Sequence, residues 1–220
     1  MVVSLLIGLP GDRPGGLVLT VLYFIASGLG ALVAGFAYAA VGVTLPRVSL
    51  PLQVVSALLR GVPLLLLVFL LAHVPWLSMG AAGLAALFLY SFAHVGETLR
   101  SFLASYPRYL SEQARIIGLR PVREWLELRT PWTLWRAWAA LLTHWVSLLK
   151  DTGALVVLGI GELTTVAKVL SELDASYEWW ATVLVSAAML YLGATLALIR
   201  ALHVAPGRLG KVMRSESTQA

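Results

Sequence analysis

Cysteine is absent from the 220 residues, which excludes a disulfide framework, a thiolate metal site and a thiol nucleophile. Charge is scarce: 12% of residues are Asp, Glu, Lys or Arg, about half of what a soluble domain carries. One buried core does not explain so large a deficit, so a solvated globular domain is excluded. No Gly-x-x-x-x-Gly-Lys-Ser/Thr phosphate loop occurs; Gly159-Ile160-Gly161 is only a glycine pair in an apolar stretch. The histidines, His73, His94, His144 and His203, fall on separate segments with no i, i+4 pair, and no metal site is expected.

What is abundant is apolar. Hydrophobic residues make up 59% of the chain, and the mean hydropathy is +0.85. They fall in blocks at 17–43, 54–74, 78–102, 132–160 and 177–199. A block of about 20 apolar residues crosses about 30 Å of hydrocarbon, and there only a helix satisfies its own backbone. The expectation is an all-α membrane protein of about five transmembrane helices in one domain, 1–204, followed by a polar, mobile cytoplasmic tail, 205–220. The stretch from Val2 to Leu9 has no basic residue ahead of it and is too short for a signal peptide.

The net charge of +5 does not read as a nucleic-acid surface, because the basic residues flank the blocks. Arg47 and Arg60 lie at the first connection, seven arginines from Arg100 to Arg136 crowd the third, and Arg200, Arg208, Lys211 and Arg214 follow the last block. The connection 73–78 has no Lys or Arg, and 162–178 has Lys168 alone against four acids. Basic loops stay on the cytoplasmic side, so the first, third and C-terminal segments are expected inside and the N-terminus outside. Trp132 and Trp135 at one block edge, and Trp179 and Trp180 at another, suit the headgroup depth; Trp138 and Trp145 read equally well as core. Small residues recur at spacing four, Ala26-Gly30-Ala34 and Ser27-Ala31-Gly35, a pattern for close helix approach.

The loop 107–131 has its own punctuation. Pro107 stops the third helix, Ser111 suits the cap of a short helix starting at Glu112, and Gly118 suits its left-handed end. Pro121 suits the first position of a second short helix, with Glu124 near its positive end and Arg123–Glu127 as an i, i+4 pair. Pro131 is expected to open the fourth span. Two charged, capped short helices at that place read as a docking site.

These residues resemble a known family. Glu112-Gln113-Ala114, Gly118 and Thr130-Pro131 have the spacing of the "EAA" loop of ABC-transporter permeases. Arg60-Gly61-Val62-Pro63 looks like the Arg-Gly-Thr-Pro of the polar-amino-acid permeases. Glu97, Arg100, Pro107 and Arg108, then Lys150-Asp151-Thr152 with Glu162-Leu163, are similar to further stretches of that group, so the resemblance spans 16–199. Departures exist: Gln113, Thr130, Ala57, Leu110, Thr143 and the Ala139-Ala140 pair stand where the family has other residues, several of them polar.

The resemblance implies the fold of a type I ABC importer permease, with the helix of Glu112, Gln113, Ala114 and Gly118 coupling to an ATPase. The implied partners are an ATP-binding subunit, which would use ATP and Mg, an extracytoplasmic substrate-binding protein and a second permease subunit. The chain itself is expected to bind no cofactor and to be no enzyme. It would move a polar amino acid or similar zwitterion across the inner membrane; the alternatives are another small organic solute or, remotely, a membrane enzyme.

For the pathway the candidates are Glu97, Lys150, Asp151 and Thr152, because ionisable groups within a span face a cavity or a partner. The alternatives are an ion pair of Glu97 with Arg100, and a structural pair of Lys150 with Asp151. Gly153 permits a local break that frees backbone groups. Arg60 reads as an interfacial arginine that snorkels.

Overall fold

The computed structural model describes the backbone of residues 1–11, 14–174 and 176–217 and, Pro46 apart, side chains as far as Leu202. It is 84% helical with no strands among the described residues. The helices are α1 (Val2–Ile7), α2 (Gly16–Thr44), α3 (Pro46–Gly61), α4 (Leu64–Ala72), α5 (Met79–Ala104) and α6 (Arg108–Ile116). They continue as α7 (Pro121–Leu158), α8 (Leu163–Ser171) and α9 (Tyr177–Ser217). Four of them, α2, α5, α7 and α9, are long and apolar enough to cross a membrane.

The expected second span, 54–74, is not one straight helix: α3 and α4 meet at 97°. Pro63 lacks an N–H and pushes its predecessor out of the helical region, and Val62 is extended at φ −83°, ψ 122°. With nine residues, α4 reaches only about 14 Å. The crossings therefore number four, or five if the bent pair counts as one.

The fourth block also differs from expectation. Pro121 does open a helix, but that helix does not stop. It passes through a π-helical turn, Glu124–Arg129, into the α-helix Thr130–Asp151. Pro131 stands in the first two positions of that α-helix, as expected, but inside the longer continuous run. Its missing donor and its ring disturb the bonding of the turn before it, where the wider π turn sits. Beyond Asp151 the helix tightens to a 3-10 segment, Thr152–Leu158, which contains Gly153; the run changes type there without a break. The last helix runs to Ser217 rather than 199, so the backbone of the polar tail begins as a helical extension. Residues 218–220 of that tail lie outside the described residues.

At the centre is α5, packed against α2, α3, α4 and α7. Of the two small-residue stripes, Ser27-Ala31-Gly35 is buried, whereas Ala26 is exposed. A Cβ on Gly35 would stand 3.0 Å from the Gly96 nitrogen, so the two glycines let α2 and α5 cross backbone to backbone. Around this crossing Leu87, Val95, Leu99, Leu141 and Leu148 are fully or almost fully buried. In lipid such packing acts through van der Waals contact rather than water release. Trp138 and Trp145 meet edge to face at 5.8 Å and belong to this core.

A second cluster joins α1, α8 and α9 through Leu5, Leu163, Val166, Leu170 and Val183. Gly16 makes it possible: its φ is +55°, and a Cβ there would lie 2.3 Å from the Leu5 carbonyl oxygen.

Candidate functional site

The arginine-rich end carries the motif read from the sequence. The helix α6 starts at Arg108, one turn earlier than expected, with Pro107 at its N-cap and no side-chain cap. Ser111 thus lies within the helix and accepts a 3.0 Å hydrogen bond from Arg129 Nη2 instead of capping. The other end is as expected. Gly118 has φ +73°, the Leu119 N–H donates to the Ala114 carbonyl at 2.9 Å and the Gly118 N–H to that of Arg115 at 3.0 Å. That pair of bonds is the Schellman ending.

Glu112 and Gln113 are exposed, whereas Ala114 is 2% exposed and faces the bundle. Ile116 and Ile117, 84% and 76% exposed, immediately precede Gly118, with Val122 and Leu126 also exposed nearby. Clustered apolar side chains of this kind mark an interaction surface. Behind them, Arg129 Nε donates to Glu124 Oε1 at 2.8 Å, and the guanidinium lies over the rings of Tyr106 and Trp125. This clasp ties α6 to the start of α7. By contrast the expected Arg123–Glu127 pair is exposed at 4.0 Å, a geometry that contributes little.

The pathway candidates do not form one cluster. The Glu97 carboxylate is held by Arg100, whose Nε donates at 3.0 Å to Oε2 and whose Nη2 takes the other oxygen. Tyr38 of α2 donates to Oε2 at 3.0 Å. Both oxygens are engaged, which is the ion-pair alternative weighed from the sequence. Thr152 is buried and donates to the Leu149 carbonyl at 2.8 Å. Lys150 is exposed and Asp151 half-buried.

Beside Asp151 the fold assembles a group that sequence reasoning missed. Asp151 lies within electrostatic range of His94 and Tyr90. The rings of His94 and His144 stack at 5.5 Å with 14° between planes, and Tyr90 is 4.6 Å from His94. His94 Nδ1–H donates to the Tyr90 carbonyl at 2.9 Å, which in the neutral ring leaves Nε2 as a lone-pair acceptor. His144 Nε2 is 2.8 Å from Ser91 Oγ. Tyr90 and His94 come from α5, His144 and Asp151 from α7. Residues 50 or more apart in sequence leave no spacing signal.

Glu162 is the other surprise. It is fully buried and caps α8, accepting from the Thr164 and Thr165 amides at 2.9 and 2.8 Å. Tyr191 Oη of α9 also donates to it at 3.1 Å. Thr20 of α2 accepts from the adjacent Leu163 amide at 3.1 Å. One carboxylate therefore ties α8 to α9 at the end of the bundle nearest α1. Among the described residues no group of three metal-ligating side chains occurs.

The fold is similar to that of chains in ABC transporters of known structure. A crystal structure of an amino acid ABC transporter superposes with a TM-score of 0.73 at 21% identity, covering 88% of this chain and 92% of that one. An inward-facing methionine ABC transporter gives 0.68 at 17% identity, covering 84% and 92%. No protein-family model matches the chain.

The sequence relatives are amino-acid ABC transporter permeases. A probable glutamine ABC transporter permease protein of Bacillus subtilis is 28% identical over 158 residues, 70% of this chain and 72% of the relative. An arginine ABC transporter permease protein of Haemophilus influenzae is 29% identical over 163 residues, 68% and 72% respectively.

Proposed function

We propose that the chain is the transmembrane subunit of an ATP-driven importer for a polar amino acid or similar small zwitterion. ATP and Mg would be used by a separate ATP-binding subunit, cargo would arrive on an extracytoplasmic binding protein, and a second permease subunit would complete the passage. In this reading the arginine-rich end faces the cytoplasm, the N-terminus lies outside, and the protein resides in the inner membrane. Glu112, Gln113, Ala114 and Gly118 form the coupling helix. Lys150 and Asp151, with Tyr90 and His94 beside them, offer charge and acceptors to the two ends of a zwitterion. Glu97 fixes α2 to α5 next to that route, and Thr152 starts the tightened turn beneath it.

The observation that carries the reading is the exposed pair Ile116 and Ile117 just before the left-handed Gly118. It is an apolar knob on a helix anchored to the spans through the Arg129 clasp and the buried Ala114. Motion of a partner gripping that knob would pass into α7. The paired replacement Ile116→Asp with Ile117→Asp is expected to abolish co-purification of an ATP-binding subunit while the chain still inserts and folds. An ATP-binding subunit retained at wild-type level would refute the docking assignment. Ligand binding by the receptor protein separates an amino-acid cargo from another organic solute.

A further inference from the structure

Against α6 lies a cavity of about 290 Å³. Its walls are the last turns of α2 and α5, at Val43, Leu103 and Ala104, together with Tyr106 and the inward side of α6. Three guanidinium groups line it: Arg108, Arg115 and Arg129. Arg129 is committed to Glu124 and Ser111. Among the described residues, Arg108 and Arg115 have neither a salt bridge nor a side-chain hydrogen bond.

Glu112 also lines the cavity and opposes them with one negative charge. Since Arg129 and Glu124 cancel, two free cations face one anion. A second, independent feature points the same way. Tyr106 is 8% exposed, yet its hydroxyl has no hydrogen-bond partner. Buried donors left without an acceptor are rare and call for an explanation. Burial pushes this phenol above its usual range, so it remains a donor at neutral pH. The first turn of α6, uncapped by any side chain, adds the positive end of the helix dipole.

We propose that this cavity is a phosphate site filled by the headgroup of an anionic phospholipid. The arginine forks match phosphate oxygens in pairs, and the phenol supplies a further donor. The apolar wall distinguishes a lipid from a soluble anion. Val43 and Leu103 lie where α2 and α5 end, the depth at which headgroups meet the spans, so an acyl chain can continue along the same helices. Ile116 and Ile117, the residues a protein partner would grip, do not line the cavity. The bound headgroup holds α6 against the ends of α2 and α5, making the stiffness of the docking helix dependent on lipid. The site needs only the chain and a membrane, whatever the cargo.

The test uses the complex extracted with its native partners and placed in nanodiscs of phosphatidylcholine, with or without phosphatidylglycerol. Native mass spectrometry reads the phosphatidylglycerol retained by the chain. The double variant Arg108→Gln/Arg115→Gln is expected to retain it on the order of tenfold less than wild type. Tyr106→Phe, which keeps the ring and its packing, should give a smaller loss. Excess inorganic phosphate should not displace the lipid. Equal retention by wild type and both variants would overturn the proposal. So would displacement by inorganic phosphate, which would make the site one for a soluble anion. If the double variant keeps its lipid but loses the ATP-binding subunit, the arginines serve a protein partner and the proposal falls. Lipid retained as expected by a chain that never associates with an ATP-binding subunit would sink the importer reading and leave the lipid site standing.

Discussion

Gly118 is a position where conformation, not space, sets the requirement. Its φ is +73° and nothing lies within 4 Å of a would-be Cβ, so a larger residue meets no neighbour. An L side chain in the left-handed region costs about 1–2 kcal/mol, less for Asn. The predicted order for transport by the reconstituted complex is wild type, then Gly118→Asn, then Gly118→Ala, with Gly118→Val lowest, all at normal expression. Equal activity across the series would show that the Schellman ending is dispensable.

Glu162 is the opposite case, a buried carboxylate defined by what donates to it. Glu162→Ala strands the Thr164 and Thr165 amides, each costing about 1–3 kcal/mol if it stays buried and unpaired, and leaves the Tyr191 hydroxyl with Thr164 Oγ1 alone. A lowered thermal midpoint is expected in detergent, with Glu162→Gln in between; an unchanged midpoint for the alanine variant would contradict the capping role.

Among the elements, prolines explain the main departures from a five-rod bundle. The motif Arg60-Gly61-Val62-Pro63 reads as a family signature, yet its physical effect is to turn the chain by 97°. Pro63→Ala restores the donor and frees Val62 to become helical, and the bend should open. Spin labels at Leu50 and Leu70, both exposed, are expected to move farther apart by double electron–electron resonance. An unchanged separation would mean that packing against α5, rather than the proline, holds the bend.

Pro131 stands at the start of the α-helix Thr130–Asp151, yet that helix continues an earlier one. A proline beside a charged loop reads as a helix start. The Arg129–Glu124 clasp and the rings of Tyr106 and Trp125 instead keep the helix going through a π turn. Of those partners Tyr106, before α6 in the chain, lies outside the window that a local rule inspects.

For the whole molecule, the absence of cysteine makes topology directly measurable. Trp76, in the connection without basic residues, and Ile117, at the arginine-rich end, are both 84% or 76% exposed respectively. Single variants Trp76→Cys and Ile117→Cys, treated with a membrane-impermeant maleimide, are expected to label from opposite sides, Trp76→Cys in intact cells and Ile117→Cys only after lysis. Labelling of Ile117→Cys in intact cells would reverse the orientation and remove the basis for docking.

The sequence alone determined the membrane class, the positions of α2, α5 and the apolar parts of α7 and α9, and the left-handed Gly118. Block length, charge asymmetry and glycine are local properties, and the bilayer enforces them without reference to a partner helix. Only the tertiary structure decided which small-residue stripe faces inward, that Glu97 is spent on Arg100 and Tyr38, and that His94 and His144 stack beside Asp151. Those outcomes depend on how α2, α5 and α7 are rotated about their own axes. That rotation is set by side chains far apart in the chain, where periodicity carries no information.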